Sequence, residues 1–101
     1  MIDQATIDRI LDAANIVDVV SEFVTLRKRG INYVGLCPFH AEKTPSFYVY
    51  QDSQSFYCFG CGVGGDIITF VKLIENLDFM ESVKFLASRV GMQAFWRKNT
   101  I

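Results

Sequence analysis

Four side chains that bind soft metal ions stand in two closely spaced pairs. Two residues separate Cys37 from His40 and Cys58 from Cys61, and residues 41–57 separate the pairs. These four include all three cysteines and the only histidine of the chain. Three thiolates and one imidazole at tetrahedral geometry favour zinc. Because no coordination position stays open for water or substrate, the pattern predicts one structural zinc ion and not a catalytic one.

Two other interpretations of these residues stay open on spacing alone. The cysteines can be free thiols in a core that also holds His40, or Cys58 and Cys61 can form a redox pair. The redox interpretation lacks the usual strand-then-helix setting, and zinc uses every candidate ligand in paired spacing. A zinc site with three thiolates is negatively charged, so we expect backbone N–H donors near the sulfurs at Gly60 and Gly62.

The elements that position these ligands are predicted to be short. Apolar residues at helical spacing after Asp3, and again after Asn15, predict two helices within residues 4–24. β-branched and aromatic residues then predict two hairpins: 25–30 with 31–36, and 46–50 with 55–59. The glycines at 60–65 are interpreted as the end of strand structure.

Two more helices are predicted after the glycines. Asp66 can cap the first, and Asp78 with Glu81 has the spacing of a capping box for the second. Gly91 is a plausible stop. The buried face of the last helix is predicted to hold Phe79, Val83, Leu86, Ala87 and Val90. The fold class is therefore α+β: a zinc ribbon with a small antiparallel sheet flanked by helices on the N- and C-terminal sides.

Composition excludes several classes of protein. The chain has 101 residues, of which 50% are hydrophobic and 21% charged, as in a single globular domain. No apolar run approaches the roughly 18 residues of a membrane span, and the first residues do not resemble a signal peptide. We therefore expect a cytoplasmic protein without membrane contact. The formal net charge of −1 argues neither for nor against a nucleic-acid partner.

Basic and aromatic residues interleave along the predicted strands. Arg27, Lys28 and Arg29 lie at the first hairpin, and Lys43 follows the first ligand pair. Alternation places Tyr48 and Tyr50 on one face of a strand, opposite Phe47 and Val49. The other aromatic residues of the predicted strands are Tyr33, Phe56, Tyr57 and Phe59. A sheet face with rings and cations is typical of single-strand binding, although a solvated hairpin tip and a packed core explain the same residues.

Two long motifs resemble a known family. Residues 32–47, with the sequence NYVGLCPFHAEKTPSF, and residues 56–66, FYCFGCGVGGD, resemble the N-terminal zinc-binding domain of bacterial DNA primase of the DnaG type. The resemblance extends over residues 3–91. It implies a zinc ribbon with Cys37, His40, Cys58 and Cys61 as ligands of Zn²⁺.

The resemblance also implies a role in DNA replication. The domain would bind single-stranded DNA template and help select where RNA primers start, beside a polymerase domain of the same or a neighbouring molecule. By matching position, Arg27, Lys43, Tyr57 and Phe59 would face the template; Tyr33 also matches the motif. Lys28 and Arg29 complete the candidate DNA contacts, whereas Ile31 and Ser53 stand where the family often has basic residues. Contact with a replicative helicase would require domains outside this chain.

No catalytic centre is predicted. The acidic residues are dispersed, whereas phosphoryl transfer with Mg²⁺ needs convergent carboxylates. We therefore interpret residues 1–91 as a zinc-binding module and 92–101 as a tail or the start of a linker to a catalytic domain. The chain would be a fragment of a primase or a stand-alone relative from a phage or mobile element. The alternative function is a structural zinc module that binds a polymerase or replisome protein.

Overall fold

Side-chain caps fix where the helices begin. In the computed structural model, which describes residues 2–92, Asp3, Asn15 and Asp66 each accept a backbone N–H at a helix start. Asp78 and Glu81 form the predicted capping box. The elements are α1 (Gln4–Ala13), α2 (Ile16–Ser21), β1 (Arg27–Arg29), β2 (Asn32–Gly35), β3 (Phe47–Tyr50), β4 (Ser55–Cys58), β5 (Gly64–Asp66), α3 (Ile67–Glu75) and α4 (Phe79–Arg89).

The strands form one antiparallel meander in the order β1-β2-β3-β4-β5. The two hairpins and the α+β class are confirmed, but the expectation that strand structure ends at the glycines is wrong. Strand β5 is set by tertiary contacts: Cys58 N–H donates to Val63 C=O at 2.8 Å, and Gly64 pairs with Tyr57. A Cβ on Gly64 would stand 2.7 Å from Cδ1 of Tyr57, so glycine lets that ring lie over the edge strand.

The two faces of the sheet have different surroundings. Phe47, Val49 and Phe56 point to the face that the helices cover, and each is almost completely buried. There the ring of Phe70, from α3, lies 5.6 Å from Phe56 and 6.0 Å from Phe47, centroid to centroid. Aromatic pairs at such distances add to the stabilisation from burial. The hydrophobic core therefore lies between the helices and this face of the central strands. The opposite face, which the helices do not cover, is called the open face below.

Helix α4 packs with the predicted face, except at its first residue. Val83, Leu86 and Ala87 are fully buried, but Phe79 is 44% exposed, so its assignment to the core was wrong. Phe79 is in line with Val83 and Leu86 along the helix, but it is the first residue of α4 and its ring lies largely in solvent. In the first turn the core contact is made by Met80 instead.

Two further observations concern the end of α2 and the predicted tail. Phe23 lies beyond α2, yet its ring contacts those of Phe70 and Phe85 at 6.0 and 6.4 Å. In the predicted tail, Met92 packs against the core, and the rest of it, with Phe95 and Trp96, lies outside the described residues. Within residues 2–92, no helix has the length and apolar character needed to cross a membrane.

Candidate metal centre and the open face of the sheet

The sheet brings the four predicted ligands to one point. Cys37 follows β2 and Cys58 ends β4, while His40 and Cys61 lie in the turns beyond them. The ligand atoms all lie within 4.8 Å of one another. The Sγ atoms of Cys37 and Cys61 are 3.9 Å apart. Two sulfurs bound at about 2.3 Å to one tetrahedral zinc ion stand roughly 3.8 Å apart, so the cluster has the dimensions that zinc requires.

The histidine ring shows which nitrogen is free to bind metal. His40 Nε2 lies 3.0 Å from Oε1 of Glu42, whereas Nδ1 is buried and has no hydrogen-bond partner within the described part of the chain. A buried nitrogen without a partner costs free energy unless something satisfies it. A zinc ion among the thiolates would do so, with Nδ1 as ligand and Nε2–H donating to Glu42.

Backbone N–H groups stabilise the sulfurs, as the charge of a zinc–thiolate site requires. Phe39 N–H donates to Cys37 Sγ at 3.4 Å, and Gly60 N–H to Cys58 Sγ at 3.3 Å. The expectation for Gly60 is thus met. Gly62 is different, since its N–H donates to the carbonyl oxygen of Cys58 at 2.8 Å and closes the turn.

Without metal, the two buried thiols hold their protons unequally. Burial raises the pKa of Cys37 to about 12. Burial also acts to raise the pKa of Cys58, but the polar contact with Ser46 Oγ and hydrogen bonds from the N–H groups of Cys61 and Gly60 outweigh it and lower that pKa to about 7. The environment therefore favours a thiolate at Cys58 first.

Glu42 is the residue of this centre that the sequence analysis did not single out. Its carboxylate accepts hydrogen bonds from the N–H groups of Cys37 and Ser46, at 2.8 and 3.2 Å, and from the Ser46 hydroxyl. The Ser46 hydroxyl and Cys37 N–H bonds lower the pKa of Glu42, so it is a carboxylate at neutral pH. The sequence did contain a signal for Glu42: it is an acidic residue two positions after a histidine ligand, and metal-binding histidines often donate their other ring N–H to a carboxylate.

The open face of the sheet carries an aromatic cluster, Tyr48, Tyr50, Tyr57 and Phe59. The ring of Phe59 lies 4.9 Å from that of Tyr57 and 5.3 Å from that of Tyr48, and Tyr48 is 6.4 Å from Tyr50. Phe59 is 65% exposed and Tyr57 39% exposed. Two large rings thus present much of their surface to solvent instead of to the core.

The pairing of the strands places the predicted basic residues on two different faces of the sheet. Arg27 pairs with Val34, which pairs with Tyr48, so Arg27 lies on the open face with the aromatic cluster. Arg29 lies on the same face by alternation. Lys28 pairs instead with Tyr33, whose other neighbour is the buried Val49.

The predicted contacts therefore divide into two groups. Tyr33 packs against the core, and Lys28 shares its face. Lys43 is exposed in the loop between β2 and β3. A groove of about 570 Å³ beside the edge strand β1 is lined in part by Arg27, Lys28, Arg29 and Pro45. Pro45 also borders a groove of about 510 Å³ beside the aromatic cluster.

A family model described as the CHC2 zinc finger matches residues 2–100. The chain belongs to the CHC2 zinc-finger family. It is 53% identical over 92 residues to a DNA primase of Staphylococcus epidermidis, covering 91% of this chain and 15% of that protein. A DNA primase of Staphylococcus aureus strain COL is 53% identical over 91 residues, which are 90% of this chain and 15% of that protein. The chain thus spans about a seventh of these relatives.

A solved structure agrees with the sequence relatives. The Aquifex aeolicus primase, solved as its zinc-binding and RNA polymerase domains, superposes with a TM-score of 0.80 at 51% identity. The match covers 85% of this chain and 21% of that one. The resemblance to the zinc-binding domain of DNA primase is confirmed. With the ligand cluster, it supports one structural zinc ion in this CHC2 domain.

Proposed function

We propose that this domain binds single-stranded DNA template on the open face of its sheet and helps to select the start site of RNA primers. The observation that carries the proposal is the aromatic cluster beside Arg27 and Arg29. Exposed rings stack on bases of any sequence, and cations follow the phosphates. The helices occupy the other face, which leaves the rings of Tyr57 and Phe59 free for a ligand.

The relatives supply the context of the proposal. Two of them bear the name DNA primase, and the solved relative contains an RNA polymerase domain beside its zinc-binding domain. We therefore propose that this domain acts in the bacterial cytoplasm beside a polymerase domain, in the same molecule or a neighbouring one. Residues 1–91 would be the module itself, and 92–101 would lead towards the catalytic part. Any contact with a replicative helicase would be made through other domains.

Local charges must attract the template, because the formal net charge of the chain is −1. Arg27, Arg29 and Lys43 are exposed, whereas Ile31 and Ser53 add no cations. Each phosphate contact with a single strand contributes about 0.7 to the slope of log affinity against log salt. Two or three such contacts give a slope of about 1.4–2.1, so we expect weak binding that is strongest at low salt.

The first experiment tests the cations. Binding of a labelled single-stranded oligonucleotide to the zinc-loaded chain is measured by fluorescence anisotropy over a salt series. Arg27→Ala should weaken binding and reduce the salt slope by about 0.7. Lys84→Ala, which removes the same charge from an exposed site on α4, is the control and should change neither quantity.

A second pair of variants tests the rings. Phe59→Ala should lower affinity roughly 5- to 150-fold, because base stacking on an aromatic side chain contributes about 1–3 kcal/mol. Phe79→Ala removes an exposed ring from α4 and should have no effect. If zinc-loaded protein shows no dependence on template at low salt, even beside a polymerase domain, the proposal is wrong. Salt-insensitive binding of a protein by the same rings would instead support the interaction module.

A further inference from the structure

Glu42 lies between the two turns that supply the metal ligands. Its carboxylate meets His40 Nε2 at 3.0 Å and Cys37 N–H at 2.8 Å, both from the first turn. Its side chain is only 10% exposed. A carboxylate that contacts two of the four ligand residues in a largely enclosed position is suited to orient them.

We propose that Glu42 is the positioning residue of the zinc site: it holds His40 so that Nδ1 faces the three thiolates. In this arrangement the carboxylate accepts a hydrogen bond from Nε2–H, 3.0 Å away, and so favours the neutral tautomer whose lone pair is on Nδ1. A ligating histidine that donates its other N–H to a carboxylate has a fixed ring orientation and is a more basic ligand. The buried, unpartnered Nδ1 on the opposite side of the ring is the atom this arrangement delivers to the metal.

Ser46 extends the action of Glu42 to the second turn. The Ser46 hydroxyl donates to the Glu42 carboxylate and lies 3.5 Å from Cys58 Sγ. The Ser46 carbonyl oxygen also accepts Phe59 N–H at 2.9 Å. One carboxylate is thus connected to His40 and Cys37 directly and to Cys58 through a single hydroxyl. Removing it should loosen both turns, and the histidine most.

The direct test compares the zinc affinity of Glu42→Gln with that of the unchanged chain by competition with a chromophoric chelator. Glutamine keeps the size of the side chain but offers one acceptor oxygen where glutamate offers two. Affinity should fall about 10- to 100-fold, as when outer partners of metal ligands are removed. Asp12→Asn, an equal charge change at an exposed position of α1, is the control and should bind zinc as the unchanged chain does.

A second readout distinguishes positioning of His40 from a general loss of stability. Because the chain has one histidine, its imidazole resonances are identified without ambiguity. In the zinc-loaded chain the Nε2 proton should be visible by NMR, slow to exchange with water and shifted downfield by the carboxylate. In zinc-saturated Glu42→Gln it should move upfield and exchange faster, while the Asp12→Asn spectrum stays unchanged.

The proposal can be overturned whether or not the Glu42→Gln variant folds. If Glu42→Gln binds zinc within twofold of the unchanged chain, or keeps the His40 Nε2–H resonance in place, Glu42 does not position the ligand. If Glu42→Gln fails to fold, Ser46→Ala replaces it: this variant keeps the Ser46 N–H bond but loses the hydroxyl. Unchanged affinity and an unchanged His40 resonance in Ser46→Ala would then refute the connected arrangement.

Discussion

Gly60 lies where the two ligand-bearing turns approach most closely, and replacing it by alanine should weaken zinc binding. A Cβ on Gly60 would stand 2.8 Å from Ser46 Oγ, 2.9 Å from His40 Nε2 and 3.1 Å from Glu42 Oε1. The φ angle of Gly60 is not positive, so alanine suits its backbone and the collision is the only new feature. All three atoms are side-chain ends, but Ser46 Oγ donates a hydrogen bond to Glu42 Oε1 and His40 Nε2 lies 3.0 Å from that same oxygen, so one atom cannot move without disturbing the others.

The expected magnitude follows from that collision. Overpacking a well-packed site costs about 1–3 kcal/mol, and this cost is present only when both turns close around the metal. It should therefore appear as a loss of zinc affinity of roughly 5- to 150-fold for Gly60→Ala. The assay is chelator competition on the folded chain, with cobalt absorption as a check that three sulfurs and one nitrogen still bind.

Gly30→Ala is the matched control for this prediction. Gly30 has a φ of +64° and no heavy atom within 4 Å of its added Cβ. Alanine there should lower the free energy of unfolding by about 1–2 kcal/mol through backbone strain, and because metal binding is coupled to folding it should lower the apparent zinc affinity only to that extent. Zinc affinity of Gly60→Ala within twofold of the unchanged chain, or a loss equal to that of Gly30→Ala, would refute the reasoning.

Two further predictions concern the metal and the core. Chelation should unfold the sheet, seen as loss of its circular dichroism, because structural zinc contributes apparent free energies of about 10–16 kcal/mol in small domains; a chelated chain that keeps its spectrum would contradict this. Phe70→Ala should lower the free energy of unfolding in urea by about 3–5 kcal/mol, since the ring is fully buried against other rings. Phe79→Ala, at a largely exposed ring, should cost under about 1 kcal/mol, and equal losses would contradict the packing described.

The sequence allowed accurate prediction wherever the signal was local. Helix starts depend on a cap and the residues within one turn of it, and Asp3, Asn15, Asp66 and Asp78 all cap as expected. The metal cluster was also predictable, because a two-residue spacing constrains both members of a pair. The two hairpins followed from short turns between strands of clear composition, whereas the pairing of β2 with β3 was not predicted.

The features that were not predicted depend on contacts between neighbouring strands and within loops, which the local composition does not reveal. Strand β5 exists because Gly64 lies beneath the ring of Tyr57, and glycine has little strand preference of its own. The placement of Lys28 and Tyr33 away from the aromatic cluster depends on the register of β1 and β2. The contacts of Glu42 require residues 37–46 to fold back on themselves before the carboxylate has partners.

Alternation along β4 links the metal site to the open face. Cys58 points towards the metal and is fully buried, so its neighbours Tyr57 and Phe59 point to the other side of the sheet. A metal ion that fixes Cys58 therefore also fixes the two most exposed rings of the aromatic cluster. Phe59 is further held by its N–H bond to Ser46, which is connected to the Glu42 carboxylate. Under the proposed function, removal of zinc alone should therefore abolish template binding, although every basic residue is still present.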